Sequence, residues 1–276
     1  MARRGNFLIR NSQFAIRNAS AFTMIEIAIC LAIIGFALVA IIGVLPYGMN
    51  TQRDNREETV INQDATMLLE TIRSGSRGAD DLTNSVYAIT NYWQFYNADG
   101  TPNGSPGVDG YTYDGAYVKG ASYNYYSLTN GANIIGVLST PEFTAGGKAI
   151  SSAFNVACTS NHIIAYVRSI SGLAAEKAPQ PNDSLMAQDT FTYRIYCVNA
   201  PVAVDTNNLP ALGSFGSQLA KNLRDLRLTF LWPQLPNGKL GNGRQTFRAS
   251  VAGQLVPDAN HGGLFYYQSQ FFTNAP

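Results

Sequence analysis

Charged residues are scarce in this sequence: they make up 13% of its 276 residues, against about 25% in an average soluble domain. The formal net charge is +1, so a chain-wide attraction to nucleic acid is not expected and no nucleic-acid partner is predicted. Three cysteines are too few for a scaffold held together by disulfides. The hydrophobic fraction of 46% excludes a disordered chain, because enough apolar surface is present to offset the entropy cost of ordering.

Residues typical of catalytic sites are also scarce. The sequence has two histidines, His162 and His261, and neither belongs to a metal-binding H-E-x-x-H pattern. A G-x-S-x-G nucleophile elbow does not occur. The glycine-rich stretch at 241–246 lacks the dinucleotide-binding pattern and is interpreted as a turn. The sequence therefore predicts a protein that is not an enzyme and that needs no cofactor.

A basic segment and a long apolar run lie near the N-terminus. Residues 1–21 carry four arginines and no acid, and residues 27–45 (IAICLAIIGFALVAIIGVL) contain no charge. As a helix, this uncharged run would be about 28 Å long, close to the thickness of a hydrocarbon core of about 30 Å. The preceding basic segment predicts a single-pass protein of the inner membrane, with a cytoplasmic N-terminus and a periplasmic or otherwise extracytoplasmic domain. An ordinary secretory signal is disfavoured, because the run is long and lacks an A-x-A-like cleavage site after it.

One acid lies at the start of this apolar segment. A carboxylate such as Glu26 at the edge of a bilayer is costly unless it is paired, so it is a candidate functional residue. The alternative is a local role, because an acid in the first helical turn gains about 0.3–1 kcal/mol from the helix dipole. The string AFTMIEIAI, with a basic leader before it and a long apolar helix after it, resembles the type IV prepilin cleavage and methylation motif. This motif is shared by type IV pilins and type II secretion pseudopilins.

The resemblance implies a processing reaction and a set of partners. A prepilin peptidase would remove residues 1–21 by cutting between Ala21 and Phe22, and would methylate the new amino group of Phe22. Glu26 would then pair with the Phe22 ammonium of a neighbouring subunit, which compensates both charges at low dielectric. The partners would be other pilin-like subunits in a filament and the inner-membrane assembly machinery. A membrane-anchored binding protein that does not assemble is the alternative.

The remaining sequence predicts an α+β fold. Residues 22–46 would form the membrane-spanning helix and residues 47–78 its amphipathic continuation, with an apolar stripe from Val60 to Ile72 and a polar surface that includes Asp64. Gly75 and Gly78 would end the helical pattern. Residues 79–276 would form a head of mainly antiparallel sheet packed on the second half of the helix. Strands rich in β-branched and aromatic residues are predicted at 85–97, 115–128, 133–140, 162–170, 188–198, 223–233, 244–253 and 263–272, with turn-rich stretches at 97–110 and 235–243.

Two further sites in the head have two interpretations each. Asn97, Asp99, Asn103 and Asp109 offer oxygen ligands of the kind calcium prefers, but these residue types are also common turn formers, and no metal is assigned. Cys158 and Cys197 could form one disulfide across neighbouring strands in an oxidising compartment. Two buried free thiols are the alternative.

The length of the chain bears on the subclass within the family. A mature chain of residues 22–276 is longer than the family's major subunits, which favours a minor subunit. The segment LAKNLRDLRLTFLWPQLPNG at 219–238 resembles the final strands of the larger, J-type minor pseudopilins of type II secretion. A minor type IV pilin that acts in adhesion or DNA uptake is the alternative within the same family.

Overall fold

A computed structural model describes residues 22–75, 79–97, 99–112, 123–145, 158–170, 191–202, 219, 221–235, 237–258 and 264–268. The chain divides into two compact units, Met1–Asp54 and Asn55–Pro276. A long apolar helix lies near the N-terminus and a largely antiparallel sheet makes up the C-terminal part. The predicted α+β layout is confirmed at this level.

The described residues form three helices and ten strands. The helices are α1 (Met24–Ser74), α2 (Leu82–Ser85) and α3 (Gly131–Leu138). The strands are β1 (Val86–Tyr96), β2 (Pro102–Thr112), β3 (Tyr123–Ser127), β4 (Phe143–Ala145), β5 (Cys158–Arg168), β6 (Thr192–Pro201), β7 (Leu223–Gln234), β8 (Leu240–Ala252), β9 (Gln254–Pro257) and β10 (Phe265–Gln268).

The main sheet has the strand order β3-β2-β1-β5-β6-β7-β8, and β4 also pairs with β5. Its pairings are antiparallel except for β2 with β3, which are parallel. Strands β9 and β10 form a second, two-stranded sheet. Side chains alternate along β6, where Tyr193, Ile195 and Cys197 are buried and the residues between them are half-buried. One face of the main sheet therefore lines the core.

The second half of α1 contributes to that core. Ile61, Ala65, Leu68 and Ile72 follow one another at helical spacing and are completely buried. The helix ends where Gly75 adopts a φ of 70° and its N–H donates to the Ile72 carbonyl. A left-handed residue after the last turn is a common helix terminus, and glycine adopts it without steric cost. The predicted stop at Gly75 is confirmed, and Gly78 lies outside the described residues.

Two of the predicted segments are wrong. The predicted strand at 133–140 is largely helix α3, which begins where the Asn130 side chain accepts a hydrogen bond of 2.8 Å from the Ala132 N–H. Its apolar run is buried on nearly all sides, and such a run gives no periodicity that separates helix from strand.

The predicted turn at 97–110 is mostly strand β2, whose Gly107 lies opposite Trp93 on β1. A Cβ at Gly107 would collide with the Trp93 ring, so glycine here permits close cross-strand packing.

The other predicted strands are found wherever the structure describes them. Segments 85–97, 162–170, 223–233 and 244–253 correspond to β1, β5, β7 and β8, and segments 188–198 and 263–272 contain most of β6 and all of β10. Segment 115–128 contains β3, and the part before residue 123 lies outside the described residues. The predicted turn at 235–243 contains the tight turn before β8, although Leu240–Gly243 belong to the strand. Strands β4 and β9 were not predicted.

Candidate functional site

The first turn of α1 contains the residues of the prepilin-like motif. The backbone N–H and the hydroxyl of Thr23 both donate to Oε2 of Glu26, at 2.8 Å each. The Thr23 hydroxyl oxygen in turn accepts from the Glu26 N–H at 3.3 Å. This reciprocal arrangement is a capping box, in which two otherwise unpaired donors at a helix start are satisfied by side chains. Phe22 precedes the box and is exposed, and Ala21 lies outside the described residues.

The capping box was not predicted, although the signal was in the sequence. Thr23 and Glu26 stand in the T-x-x-E spacing that opens many helices. The box gives Glu26 two hydrogen bonds within its own turn, a local role different from the helix-dipole interaction considered from the sequence. Among the described residues, both hydrogen bonds that Glu26 accepts are made at Oε2. The carboxylate therefore retains acceptor capacity at Oε1 for a second partner.

The apolar part of α1 follows the capping box directly. The helix is long and apolar enough to cross a membrane. Its large apolar side chains between Ile27 and Leu45 are at least half exposed, and Phe36 reaches 79%. Contiguous exposed apolar surface of this extent is unfavourable in water and is expected to be covered by lipid or by protein. A helix long and apolar enough to cross a membrane therefore lies where the sequence predicted the membrane-spanning segment.

A buried carboxylate fixes the second half of α1 against the sheet. Asp64, predicted on the polar surface of the helix, is only 1% exposed, so that prediction is wrong. Its Oδ2 accepts a hydrogen bond of 2.7 Å from the Tyr193 hydroxyl and one of 3.0 Å from the Ile170 N–H. Burial, together with the adjacent carboxylate, holds the pKa of Tyr193 well above its usual value. Tyr193 therefore acts as a hydrogen-bond donor that joins β6 to the helix.

The cysteines of the head do not form the disulfide that was considered. Cys158 and Cys197 lie on adjacent strands, but Cys197 pairs with Ile163, five residues along β5 from Cys158. That offset corresponds to about 16 Å along the strand, whereas bonded cysteines have Cα atoms within about 7 Å. Both thiols are free. Cys197 is buried beneath α3, its thiol donates to the Leu138 carbonyl, and burial raises its pKa to about 12.

The fold separates Asp109 from the other three calcium candidates, which lie at the turn between β1 and β2. Asp99 lies in the turn between β1 and β2, where its carboxylate accepts from the N–H and the hydroxyl of Thr101 at 2.9 and 2.6 Å. These hydrogen bonds lower the pKa of Asp99. Asn97 donates to the Thr101 hydroxyl, whereas Asn103 and Asp109 stand six residues apart on β2. Over the residues that the structure describes, no group of three or more His, Cys, Asp or Glu side chains is arranged to hold a metal.

Comparisons with known proteins give no further guide. No family model, no curated protein and no solved structure matches this chain. The functional argument therefore rests on the residues and their contacts.

Proposed function

We propose that this chain is a prepilin-like structural subunit: a minor pseudopilin of a type II secretion system or of a filament resembling a type IV pilus. A prepilin peptidase removes residues 1–21, and Phe22 becomes the N-methylated first residue. The observation that carries the proposal is the Thr23–Glu26 capping box at the head of an exposed apolar helix. A small residue followed by Phe, with an acid four residues after the Phe at the start of a long apolar helix, is the core of the prepilin motif that the sequence resembles.

Cleavage would create a cation close to this acid. The new ammonium of Phe22 is adjacent to Thr23, whose N–H and hydroxyl occupy Oε2 of Glu26. Oε1 can then accept a charge-assisted hydrogen bond from the ammonium of a neighbouring subunit. At low dielectric such a pair compensates two charges that would each be costly alone. The capping box thus holds the carboxylate in place while one of its oxygens remains for assembly.

Substitutions at Thr23 and Glu26 separate the cap from the charge. Glu26→Gln keeps an oxygen that can accept from Thr23 but removes the negative charge, whereas Thr23→Val keeps the charge and removes the hydroxyl. Both variants should insert into the membrane and be cleaved, because neither adds a charge to the apolar segment. The proposal predicts that Glu26→Gln is incorporated poorly with partner subunits and that Thr23→Val is incorporated nearly as well as the parent. Co-purification of cross-linked subunits from membranes measures this.

A second function is favoured by the same capping box. Because Thr23 satisfies Glu26 within one chain, the acid also fits a single-pass anchor for an extracytoplasmic binding domain that never assembles. In that case Glu26→Gln and the parent protein would behave alike in insertion, cleavage and recovery with other subunits. A minor type IV pilin in adhesion or DNA uptake would give the same assembly defect as a pseudopilin. A complete set of minor pseudopilin genes beside this one would favour secretion.

A further inference from the structure

Five arginines lie on the face of the main sheet opposite the core. Register and alternation place Arg168 on β5, Arg194 on β6, Arg227 on β7, and Arg244 and Arg248 on β8 on this face. We call these five residues the arginine face. The intervening residues of β6 and β7, such as Ile195, Leu228 and Phe230, are buried on the core side. The strands thus direct cationic side chains to one side and apolar side chains to the other.

The strand register arranges four of these arginines in two rows. Arg194 and Arg244 each pair with Leu231, which puts them in one row across the sheet. Arg227 pairs directly with Arg248 in the second row. Arg244 and Arg248 are four residues apart on β8, so the two rows are separated by about 13 Å. Between them Thr229 and Thr246 share a hydrogen bond of 2.9 Å, and this middle row carries no charge.

Within the described strands β5–β8, the arginine face carries little compensating negative charge. Asp225 is the one acid in the sequence of β5–β8. Its side chain is 3% exposed and is covered by ion pairs with Arg227 and Arg248, each with a contact of 2.6 Å. Over the described residues of β5–β8, the five arginines and this acid leave an excess of four positive charges on the face, although the whole chain has a formal net charge of only +1. Arg227 and Arg248 lie directly opposite each other and share Asp225, so the charge left without an acid partner on β5–β8 lies chiefly on Arg168, Arg194 and Arg244.

Four of the five arginines are held in place by neighbouring groups, and Arg227, Arg244 and Arg248 are exposed. Arg194 lies over the Tyr166 ring at 5.0 Å and donates to the Gln234 side chain and the Gly238 carbonyl. Arg168 lies over the Tyr87 ring at 5.4 Å. The side chains of Arg227 and Arg248 are 48% and 67% exposed despite their ion pairs. Guanidinium groups held in this way lose less entropy when they bind a phosphate, and their planar donors suit bidentate contacts.

We propose that the arginine face binds the phosphate backbone of nucleic acid without reading its sequence. The cations that the described strands β5–β8 place on the face are all arginines, which favours phosphate recognition in fixed geometry, and the rows suit a polyanion with repeated charges. A lipid surface fits less well, because none of the exposed large apolar side chains of the described residues lies on β5–β8. The formal net charge of +1 did not indicate this site, because acids elsewhere in the sequence cancel the positive charge of the arginine face. Binding requires neither cleavage nor assembly, so the proposal stands apart from the proposed function.

Salt dependence provides the test. The full chain is placed in nanodiscs of uncharged phosphatidylcholine, and the binding of short labelled single- and double-stranded DNA is followed by fluorescence anisotropy. If about four phosphates are neutralised, the slope of log K against log salt should be about −3.6 on duplex DNA. Affinity should then fall about 10²-fold between about 50 and about 200 mM salt. Binding to neither DNA at about 50 mM salt would overturn the proposal.

Matched variants locate the binding. Arg244→Gln with Arg248→Gln removes two contacts, so the slope should fall to about −1.8 and affinity at about 100 mM salt should drop at least about tenfold. The control, Arg56→Gln with Arg73→Gln, removes the same charge from exposed positions on α1 and should stay within about twofold of the parent. Because Arg248 also pairs with Asp225, the single variant Arg244→Glu repeats the test without breaking that ion pair. Equal losses in control and test variants, or binding only to phosphatidylglycerol vesicles and not to DNA, would overturn the assignment.

Discussion

The hydrogen bond between Tyr193 and Asp64 is predicted to stabilise the attachment of α1 to the sheet. The substitution Tyr193→Phe removes one oxygen atom and leaves the buried ring, which packs 5.4 Å from Phe230. Asp64 would then keep its bond from the Ile170 N–H but lose the one from the Tyr193 hydroxyl. A hydrogen bond to a charged group contributes about 1.5–3 kcal/mol. We therefore expect the free energy of unfolding to fall by about 2 kcal/mol.

The assay is urea unfolding of the full chain in detergent, followed by near-ultraviolet circular dichroism. For a domain of this size, a loss of about 2 kcal/mol should also lower Tm by about 4–8 °C. The matched control is Tyr196→Phe, on the opposite face of the same strand, where the hydroxyl has no hydrogen-bond partner among the described residues. That change should alter stability by less than about 0.5 kcal/mol. If the two variants lose the same stability, or if Tyr193→Phe loses none, Asp64 does not fix the helix through Tyr193.

Two further predictions follow from the division of the chain and from the buried thiol. Removing residues 1–46 should leave a soluble, β-rich protein that unfolds cooperatively, because the buried stripe of α1 begins only at Ile61. Gel filtration and thermal unfolding of the truncated protein check this. A molten or aggregated product would contradict the prediction. Burial raises the pKa of Cys197 to about 12, so the unfolded chain loses this thiol proton at a lower pH than the folded protein does. The contribution of the neutral thiol to stability should therefore be complete below the unfolded-state pKa of about 8.5. Above that pH, the free energy of unfolding should fall by about 1.4 kcal/mol per pH unit. Cys197→Ala should flatten the dependence of the urea midpoint on pH between about pH 8.5 and 9.5, and an unchanged slope would show that the thiol is not the group responsible.

The features that the sequence predicted correctly are those with a strong local pattern. The uncharged run at 27–45 and the helical spacing of Ile61, Leu68 and Ile72 suffice to predict α1. Strands such as β6 alternate so regularly that their buried residues can be named in advance. The end of α1 at Gly75 follows from glycine's access to positive φ. In each case the physical cause acts within a few residues of the feature.

The features that were missed depend on residues far away in the chain. Asp64 is polar and so was placed on the surface, but its partner Tyr193 is 129 residues away. Helix α3 is buried nearly all round, so its apolar run could not be distinguished from a strand. Strand β2 is rich in glycine and proline, and only its pairing with β1 makes it extended. The distance between Cys158 and Cys197 depends on strand register, which the sequence does not specify.

The arginine face could not be predicted from the sequence for the same reason. Its members come from four strands and are scattered over residues 168–248, so no local pattern marks them. Only the register of β5–β8 gathers them on one face. The capping box, by contrast, is local: it was not predicted, but the T-x-x-E spacing of Thr23 and Glu26 was present in the sequence.

The central claim, that the chain is processed as a prepilin-like subunit, is tested most directly at its N-terminus. The protein is isolated from membranes that contain a cognate prepilin peptidase, and its N-terminal peptide is analysed by mass spectrometry. The account predicts a chain that begins with N-methylated Phe22, and predicts that replacing Ala21 by a bulky residue such as Leu leaves the leader attached. An intact segment 1–21 on the membrane-assembled parent protein would contradict the account.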